Sequence, residues 1–426
     1  MRKNLLLLFV SVFVLSAGIS RAQKPKRCGT MDYLARQMAE DPTLASKMAE
    51  IEEMTRNFEM QSAGMRTSST VITIPVVFHV LYHSTAQNIS DNKIIDQIAT
   101  LNKDFAYLNA DTVNTPAAFR PAAANTNIQF CLATQDPNGD PTTGIIRKYI
   151  TATGFDPYTN QDIKHTAQGG DDAWDRNKYL NIWTSNFIGA STQIIGISQF
   201  PGGAAATDGC VILYGTIGGE TYHGTTPYYN LGRTATHEIG HWLNLRHIWG
   251  DDGGACNGSD YVTDTPNQAS ENYSCVSFPH ITCNNGPNGD MYVNYMDYGD
   301  DNCLNMFSAG QGTRMTAALN GPRISIKTSP GCQEPTGINN SARQFAVSIY
   351  PNPSTGEFVL TSKLKDLSDV EVIVTNILGE VVYKNSSKGI SYLVQTIDLG
   401  AQSNGVYMVE VRTNSGMSTQ KVVLNR

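Results

Sequence analysis

The segment HEIGHWLNLRH, His237 to His247, restricts the local fold more than any other stretch of the chain. His237 and His241 are four residues apart, which on an α-helix puts both imidazoles on one face. Glu238 follows the first of them. His247 cannot join that face from an unbroken helix: six residues past His241 the chain would have turned ~600°, leaving the third imidazole ~120° away and ~9 Å further along the axis. The helix must therefore end near Asn244. Such exits often use a left-handed residue, where glycine is least strained and asparagine next most tolerant. Asn244 is accordingly predicted to have a positive φ and to turn His247 back toward the other two histidines.

Three imidazoles without a fourth protein ligand suit a zinc ion that keeps one vertex for water, whereas structural zinc sites usually complete four ligands and often use cysteine. Glu238 is placed to take a proton from water that the ion has acidified. The residues thus predict zinc on His237, His241 and His247, Glu238 as general base and then acid, and peptide hydrolysis without a covalent intermediate. A surface adhesin or binding protein that keeps zinc for structure is the alternative from another class.

The chain begins MRKNLLLLFVSVFVLSAGISRAQ, with Arg2 and Lys3 ahead of an apolar run from Leu5 to about Leu15 and small residues at Ser20 and Ala22. That pattern predicts a secretory signal over residues 1–22. The run is too short for a comfortable membrane span, and no later stretch approaches the ~20 apolar residues a span needs. Charged residues make up 16% and the formal net charge is -7, which argues against nucleic acid or an anionic membrane as partner and leaves protein and peptide substrates. Export permits disulfides, so the eight cysteines are bridge candidates first. Four of them (256, 275, 283, 303) crowd a Gly-, Asn- and Asp-rich region at about 250–312 that has little periodicity and needs bridges or ions to stay ordered. Sequence alone allows three connectivities among those four. A bridge between Cys131 and Cys210, both in predicted strands, is expected.

At 426 residues the chain should divide into two folded domains plus processed segments. Residues 23–65 read as a small polar appendage with a helical patch from Met31 to about Asn57 that Pro42 interrupts. From residue 66 to 333 strands and helices interleave, predicting an α/β (α+β) domain. TVITIPVVFHVLY is its long buried strand, and Ser90 opens a helix whose inward positions are Ile94, Ile98, Leu101 and Phe105. NIQFCLAT, YLNIWTS, IIGISQF and VILY are further strand candidates. After a polar linker at 334–344, about seven short strands over 345–426 predict an all-β immunoglobulin-like sandwich without catalytic motifs. His79, His83, His165, His223 and His280 lack ligand spacing and are expected to be structural.

HExxHxxGxxH is the metzincin signature, and HEIGHWLNLRHIWGD followed by NYMDY resembles the pappalysin family, especially its ulilysin-like secreted bacterial members, with Asn244 in the glycine's place. The resemblance covers about residues 66 to 333. It implies a metzincin catalytic domain with a mixed, mostly parallel sheet and an active-site helix. It further implies that Met296 in VNYMDYG lies in a turn beneath the metal and that Tyr298 stabilises the tetrahedral intermediate. The residues alone would give Met296 as core and Tyr298 as a turn aromatic. Cysteine spacings of 19, 8 and 20 are similar to those of ulilysin-like enzymes, which implies bridges Cys256 to Cys283 and Cys275 to Cys303. SDYVTDTP resembles a calcium-binding loop, with Asp260 and Thr265 as ligands and Asp264 contributing, against the plainer reading of a solvated acidic turn.

KRCGT resembles the Arg-Cys-Gly cysteine switch of latent metzincins, which implies that a Cys28 thiolate fills zinc's open position in a zymogen. The alternative is a bridge from Cys28 to Cys332. The family resemblance also implies cleavage before Arg or Lys, making Met65–Arg66 an autolysis site. Substrate is expected to lie along an exposed strand edge, and the resemblance implies that this strand is Gly196 to Phe200, with Gly196, Ile197 and Ser198 binding it, unless it is a plain edge. The last ~80 residues, with YPNPSTGEF, VTNILGEVV, GVYMVEV and TQKVVLN, resemble the sorting domain of the type IX secretion system. This implies the type IX machinery as partner and passage through the periplasm of a Gram-negative bacterium to the cell surface or medium. By fold alone, a carbohydrate- or protein-binding sandwich would serve equally well.

Overall fold

The structure, a computed structural model, describes residues 26–62, 70–333, 347–413 and 416–426, with the main chain alone at 365 and 366. The predicted signal segment, the Met65–Arg66 bond and the 334–344 linker lie outside the described residues. The chain divides into two compact units, Met1–Gln333 and Glu334–Arg426.

The first unit opens with α1 (Thr30–Glu40) and α2 (Thr43–Ser62), broken at Pro42, whose ring and missing N–H end the first helix. These helices are not an appendage. Leu34, Leu44 and Met48 bury against Phe200, and Glu52 makes a two-pronged ion pair with the buried Arg314, so apolar contact and charge together hold the segment on the unit.

Six strands follow: β1 (Ile72–Tyr82), β2 (Ile128–Leu132), β3 (Ile145–Tyr149), β4 (Leu180–Ser185), β5 (Gly196–Ser198) and β6 (Cys210–Leu213). Their order is β2-β1-β4-β6-β5, with β3 also paired to β1. β1 is long enough to take β2 along Ile72–Val76 and β3 along Phe78–Tyr82. All pairs are parallel except β5 with β6, so the sheet is mixed and mostly parallel. α3 (Asp91–Phe105) begins after Ser90 and buries Ile94, Ile98, Leu101 and Phe105 in the main core, as its period requires.

Sheet order overturns one expected disulfide. Two strands separate β2 from β6, and at ~4.8 Å per strand Cys131 and Cys210 stand roughly 14 Å apart, twice the reach of a bridge. Cys131 instead joins Cys332, with Cα atoms 6.0 Å apart, while Cys210 is buried and free. The alternative bridge from Cys28 to Cys332 falls with it.

Between α4 (Arg233–Trp242) and α5 (Ala309–Asn320) the chain has no other α-helix or strand. Its order comes from Cys256–Cys283 and Cys275–Cys303, with Cα separations of 5.4 and 5.6 Å, and from buried carboxylates such as Asp297, which accepts from Gln268 and Asn272.

The second unit is an antiparallel sheet of β7 (Val347–Tyr350), β8 (Glu357–Asn376), β9 (Val381–Asp398), β10 (Gly405–Thr413) and β11 (Gly416–Leu424). Seven short strands were expected, and five are found. Two pairs of predicted strands run together as β8 and β9, whose register shifts between Lys363 and Ser368 and again between Ser368 and Val370. Such irregularities bend a strand while keeping it continuous. One cluster including Phe358, Leu360, Val372, Val409 and Val422 fills its interior, consistent with a β-sandwich domain.

Candidate active site

α4 is buried on every side and is tied down at both ends. Near its start Arg233 pairs with Asp104 of α3 at 2.8 Å, and Thr236 donates to the same carboxylate at 2.7 Å. Near its end Trp242 donates to Asp208 at 2.7 Å and lies under the Arg323 guanidinium. His237 and His241 thus project from a helix with little freedom to shift.

The exit from α4 is a Schellman turn. Leu245 N–H bonds Gly240 O at 2.9 Å, Asn244 N–H bonds His241 O at 2.9 Å, and Asn244 has φ 74°. Its carbonyl accepts from Arg314 Nε at 3.1 Å and its amide contacts Thr55 of α2. His247 is thereby returned to the other two: Nε2 of His241 lies 3.1 Å from Nε2 of His237 and 3.1 Å from Nε2 of His247. Met296 lies beneath α4, where a Cβ on Gly240 would come within 2.5 Å of its sulfur, so a larger residue at 240 would require Met296 to move.

The other face of each ring fixes its proton. Nδ1 of His237 meets Tyr295 O at 2.7 Å, Nδ1 of His241 meets Leu245 O at 2.8 Å, and Nδ1 of His247 meets Asp251 Oδ1 at 2.7 Å. Carbonyl and carboxylate oxygens only accept, so each Nδ1 carries the hydrogen and each Nε2 presents a lone pair. Burial holds His237 and His241 neutral by lowering their pKa. Three converging lone pairs repel one another unless a cation lies between them. Their 3.1 Å spacing is near the ~3.3 Å edge of a tetrahedron with zinc–nitrogen bonds of ~2.05 Å.

Cys28 completes the group. Its sulfur and the three imidazoles offer ligand atoms all within 4.8 Å of one another, the one such cluster of three or more His, Cys, Asp or Glu among the described residues. Burial raises the Cys28 thiol well above its usual pKa, so only a cation at the imidazoles would hold it as thiolate.

Glu238 points into the same space. Its Oε2 accepts from Thr30 Oγ1 at 2.9 Å, while Oε1, beside the Cys28 thiol, has no partner in hydrogen-bond geometry. Burial pushes this carboxyl up to about 8. Tyr298 donates to Cys28 O at 3.2 Å and lies 3.3 Å from His247 Nε2. Burial keeps its phenol protonated, hence a donor.

In the precursor the strand edge expected at Gly196 to Phe200 is already occupied. β5 spans Gly196–Ser198 and is fully covered, because residues 27–30 pair with it: Ile195 N–H donates to Arg27 O at 3.1 Å, Gly29 N–H to Gly196 O at 2.9 Å and Ser198 N–H to Thr30 Oγ1 at 2.8 Å. Cys28 and Gly196 are bridged in parallel. The added segment supplies the bonds an edge strand lacks.

Arg27 entered the sequence reading only as part of the KRCGT motif, with no role of its own. Its side chain is fully buried, with Nη1 donating to Gly299 O at 2.6 Å, Nη2 to Asp301 Oδ1 at 3.1 Å, and its guanidinium 5.3 Å from the Tyr229 ring centre. Asp301 is oriented by Leu231 and Arg233 N–H at the start of α4. Asp251, four residues past His247, was equally missed, although that spacing is a legible signal.

Asp260 is 5% exposed and accepts from Val262 N–H and Thr265 Oγ1. Asp264 turns instead to the start of α5, accepting from Ser308 Oγ at 2.6 Å and Gly310 N–H at 2.8 Å. The remaining histidines stay apart from the cluster; His79, for example, pairs with Asp171 and Asn181.

The sequence pattern of the family described as pregnancy-associated plasma protein-A matches residues 159–320, and that of the secretion system C-terminal sorting domain matches residues 348–425. An extracellular metalloprotease of Neurospora crassa is 32% identical over 306 residues, 70% of this chain and 89% of its own length. The chain belongs to the pregnancy-associated plasma protein-A family. This pappalysin is similar to a point mutant of Tannerella forsythia promirolysin, at 41% identity and TM-score 0.64, covering 71% of this chain and 97% of that one. Mature mirolysin of Tannerella forsythia in complex with a cleaved peptide is 46% identical with TM-score 0.58, covering 61% and 97%. The pappalysin described here is a secreted zinc metalloendopeptidase made as a zymogen, with a C-terminal secretion sorting domain. No described helix is long and apolar enough to cross a membrane.

Proposed function

We propose that His237, His241 and His247 hold the zinc ion, that Glu238 is the proton carrier of hydrolysis, and that Cys28 closes the fourth vertex until residues 23–65 are removed. The three mutually facing Nε2 lone pairs carry this reading. Bound there, zinc supplies Lewis acidity to the scissile carbonyl and the attacking water. Glu238 takes the water's proton and delivers it to the leaving amine. In the precursor it accepts from the hydroxyl of Thr30, and removal of residues 23–65 frees that oxygen for the water's proton. Tyr298 donates to the carbonyl oxygen as charge builds on it, just as it now donates to Cys28 O. Gly196, Ile197 and Ser198 of β5 offer a freed edge to the substrate once residues 27–30 leave. Met296 packs under α4 and fixes the histidines from below.

Arg27 supports a preference for Arg or Lys immediately after the scissile bond. A guanidinium paired with Asp301, capped by Gly299 O and stacked on Tyr229 is the occupant such a primed-side pocket would select. Arg66 after Met65 gives the precursor a matching bond for self-processing. A peptide-library digest by the processed enzyme should yield cuts before Arg and Lys that a chelator abolishes and added zinc restores. Chelator-resistant cuts without that preference would overturn the proposal. The second unit would engage the type IX machinery and be dispensable for hydrolysis.

Calcium is proposed at Asp260 and Thr265, with Asp264 fastening their loop to α5. Burial pushes the Asp260 carboxyl up to about 7, against ~3.9 in an unfolded chain. Between those values the folded state binds the extra proton, so chelated protein should lose stability as pH rises from about 4 to 7, by a few kcal/mol. Calcium should then raise Tm most near pH 7 and least near pH 4, and Asp260→Asn should remove the difference. A calcium-independent Tm at pH 7 would refute this site.

A further inference from the structure

The segment that covers the cleft inserts one more side chain beyond Arg27. Tyr33, four residues into α1, is 4% exposed. Its ring lies 5.1 Å from Lys164 Nζ, and its hydroxyl donates to Gln199 Oε1 at 3.2 Å. It joins an apolar cluster with Ile163, Trp183 and Ile197. Apart from Tyr33, these groups belong to the catalytic part of the unit.

Two of them are held in place without Tyr33. Gln199 Nε2 donates to Ala204 O at 2.8 Å while its Oε1 accepts from Thr207 Oγ1 at 2.7 Å, so the amide oxygen is aimed at the phenol in advance. Lys164 Nζ donates to Thr207 O at 2.6 Å and lies 5.3 Å from the Trp183 ring centre, leaving its other side to the Tyr33 ring. The Lys164 amine faces the Tyr33 ring, and although burial under the covering segment lowers its pKa to about 7, its charged form is attracted to the face of an aromatic ring. A buried phenol also needs a hydrogen-bond partner, and Gln199 is one.

The recess lies in the same cleft as the cluster at Cys28. Along β5 the covering chain meets Ile195 with Arg27, Gly196 with Cys28 and Ser198 with Thr30, and Gln199 is the next residue. Tyr33 therefore enters on the side of Cys28 opposite to Arg27. A cavity of about 440 Å³ lined by Tyr33, Gln37, Gln161, His165 and Thr207 opens beside it.

We propose that Lys164, Trp183, Gln199 and Thr207 form a second specificity pocket of the processed enzyme, which takes a tyrosine side chain from the substrate ahead of the scissile bond. The assignment of sides rests on the reading of Arg27 as the occupant of the primed-side pocket. Tyrosine is favoured over phenylalanine because only the phenol can donate to Gln199 Oε1 beside Thr207, in place of the donors Tyr33 and Gln37 that leave with the covering segment. A lysine would meet Lys164, whereas a carboxylate, though attracted by Lys164, has no proton to give Gln199 Oε1 and forgoes the apolar contact with Trp183.

Quenched fluorescent peptides with Arg after the scissile bond, carrying Tyr, Phe, Leu, Glu or Lys at each of the second to fourth positions before it, test the pocket on the processed enzyme. At one position Tyr should raise kcat/KM about tenfold over Leu, mainly through KM, with Phe in between. Lys164→Met should collapse the Tyr-to-Leu ratio, and Lys164→Arg should retain most of it. Thr207→Val, which frees the Gln199 amide to turn, should erase the preference for Tyr over Phe, giving a second readout should Lys164→Met fold poorly. Equal rates for all side chains at every position, in an enzyme that still requires Arg after the bond, would overturn the pocket alone. A preference for Glu would overturn its aromatic occupant. Failure to cut any of these peptides would overturn the active-site reading and this inference with it.

Discussion

Processed enzyme carrying Glu238→Ala is expected to hydrolyse peptides at least about a thousandfold more slowly, while still binding one zinc ion and melting no lower than the parent. A positioned general base and acid contributes ~10²–10⁴, and one residue serving both proton transfers should lie toward the upper end. Metal binding should survive because each imidazole is oriented through its own Nδ1, by Tyr295 O, Leu245 O and Asp251, none of which involves Glu238. Stability should survive because the hydrogen bond of Glu238 in the precursor goes to Thr30, which is already gone from the processed enzyme. Zinc content, Tm and kcat/KM on the same preparation decide the matter. A variant that keeps more than a tenth of parental activity would remove Glu238 from the mechanism, and the adhesin alternative predicts unaltered activity throughout.

The second large effect concerns latency. Precursor with Cys28→Ala should gain at least about tenfold in hydrolysis of a small peptide and process itself sooner, and adding Arg27→Ala should increase both further. The two residues act differently. Cys28 occupies the vertex at which water would be activated, whereas Arg27 makes a buried, fully desolvated pair with Asp301, and removing one member of such a pair costs ~3–5 kcal/mol of attachment. Neither change frees the cleft entirely, since Tyr33 and the Glu52–Arg314 pair still fasten the helices. Processing should therefore remain the step that gives full activity. A Cys28→Ala precursor as latent as the parent, with its metal still closed to water, would show that covering the cleft alone explains latency.

Several features were legible because they are local. The offset of four between His237 and His241 fixes a shared helix face, and asparagine at position 244 is one of the few residues that tolerates φ 74° at a Schellman turn. The alternation of strands and helices from Thr70 onward gave the α/β class. Pro42 divided the first two helices where its chemistry requires. Other expectations failed for want of long-range information. Cys131 was matched to Cys210 by strand character alone, although the sheet order places two strands between them. The 23–65 segment looked like an appendage because its polar composition does not reveal that Arg27 and Tyr33 become fully covered.

What the sequence by itself determined is the chemistry at hand: three imidazoles and a carboxylate at offsets that only a helix ending at Asn244 can converge, within an exported chain. The tertiary structure decided what surrounds that chemistry, namely the partners of Arg27, Tyr33, Cys131 and Arg314. The physical reason is range. Helix periodicity and the cost of a left-handed residue depend on a few neighbouring positions, whereas contacts more than a hundred residues apart depend on the order in which strands pair and on which surfaces their packing leaves to be covered.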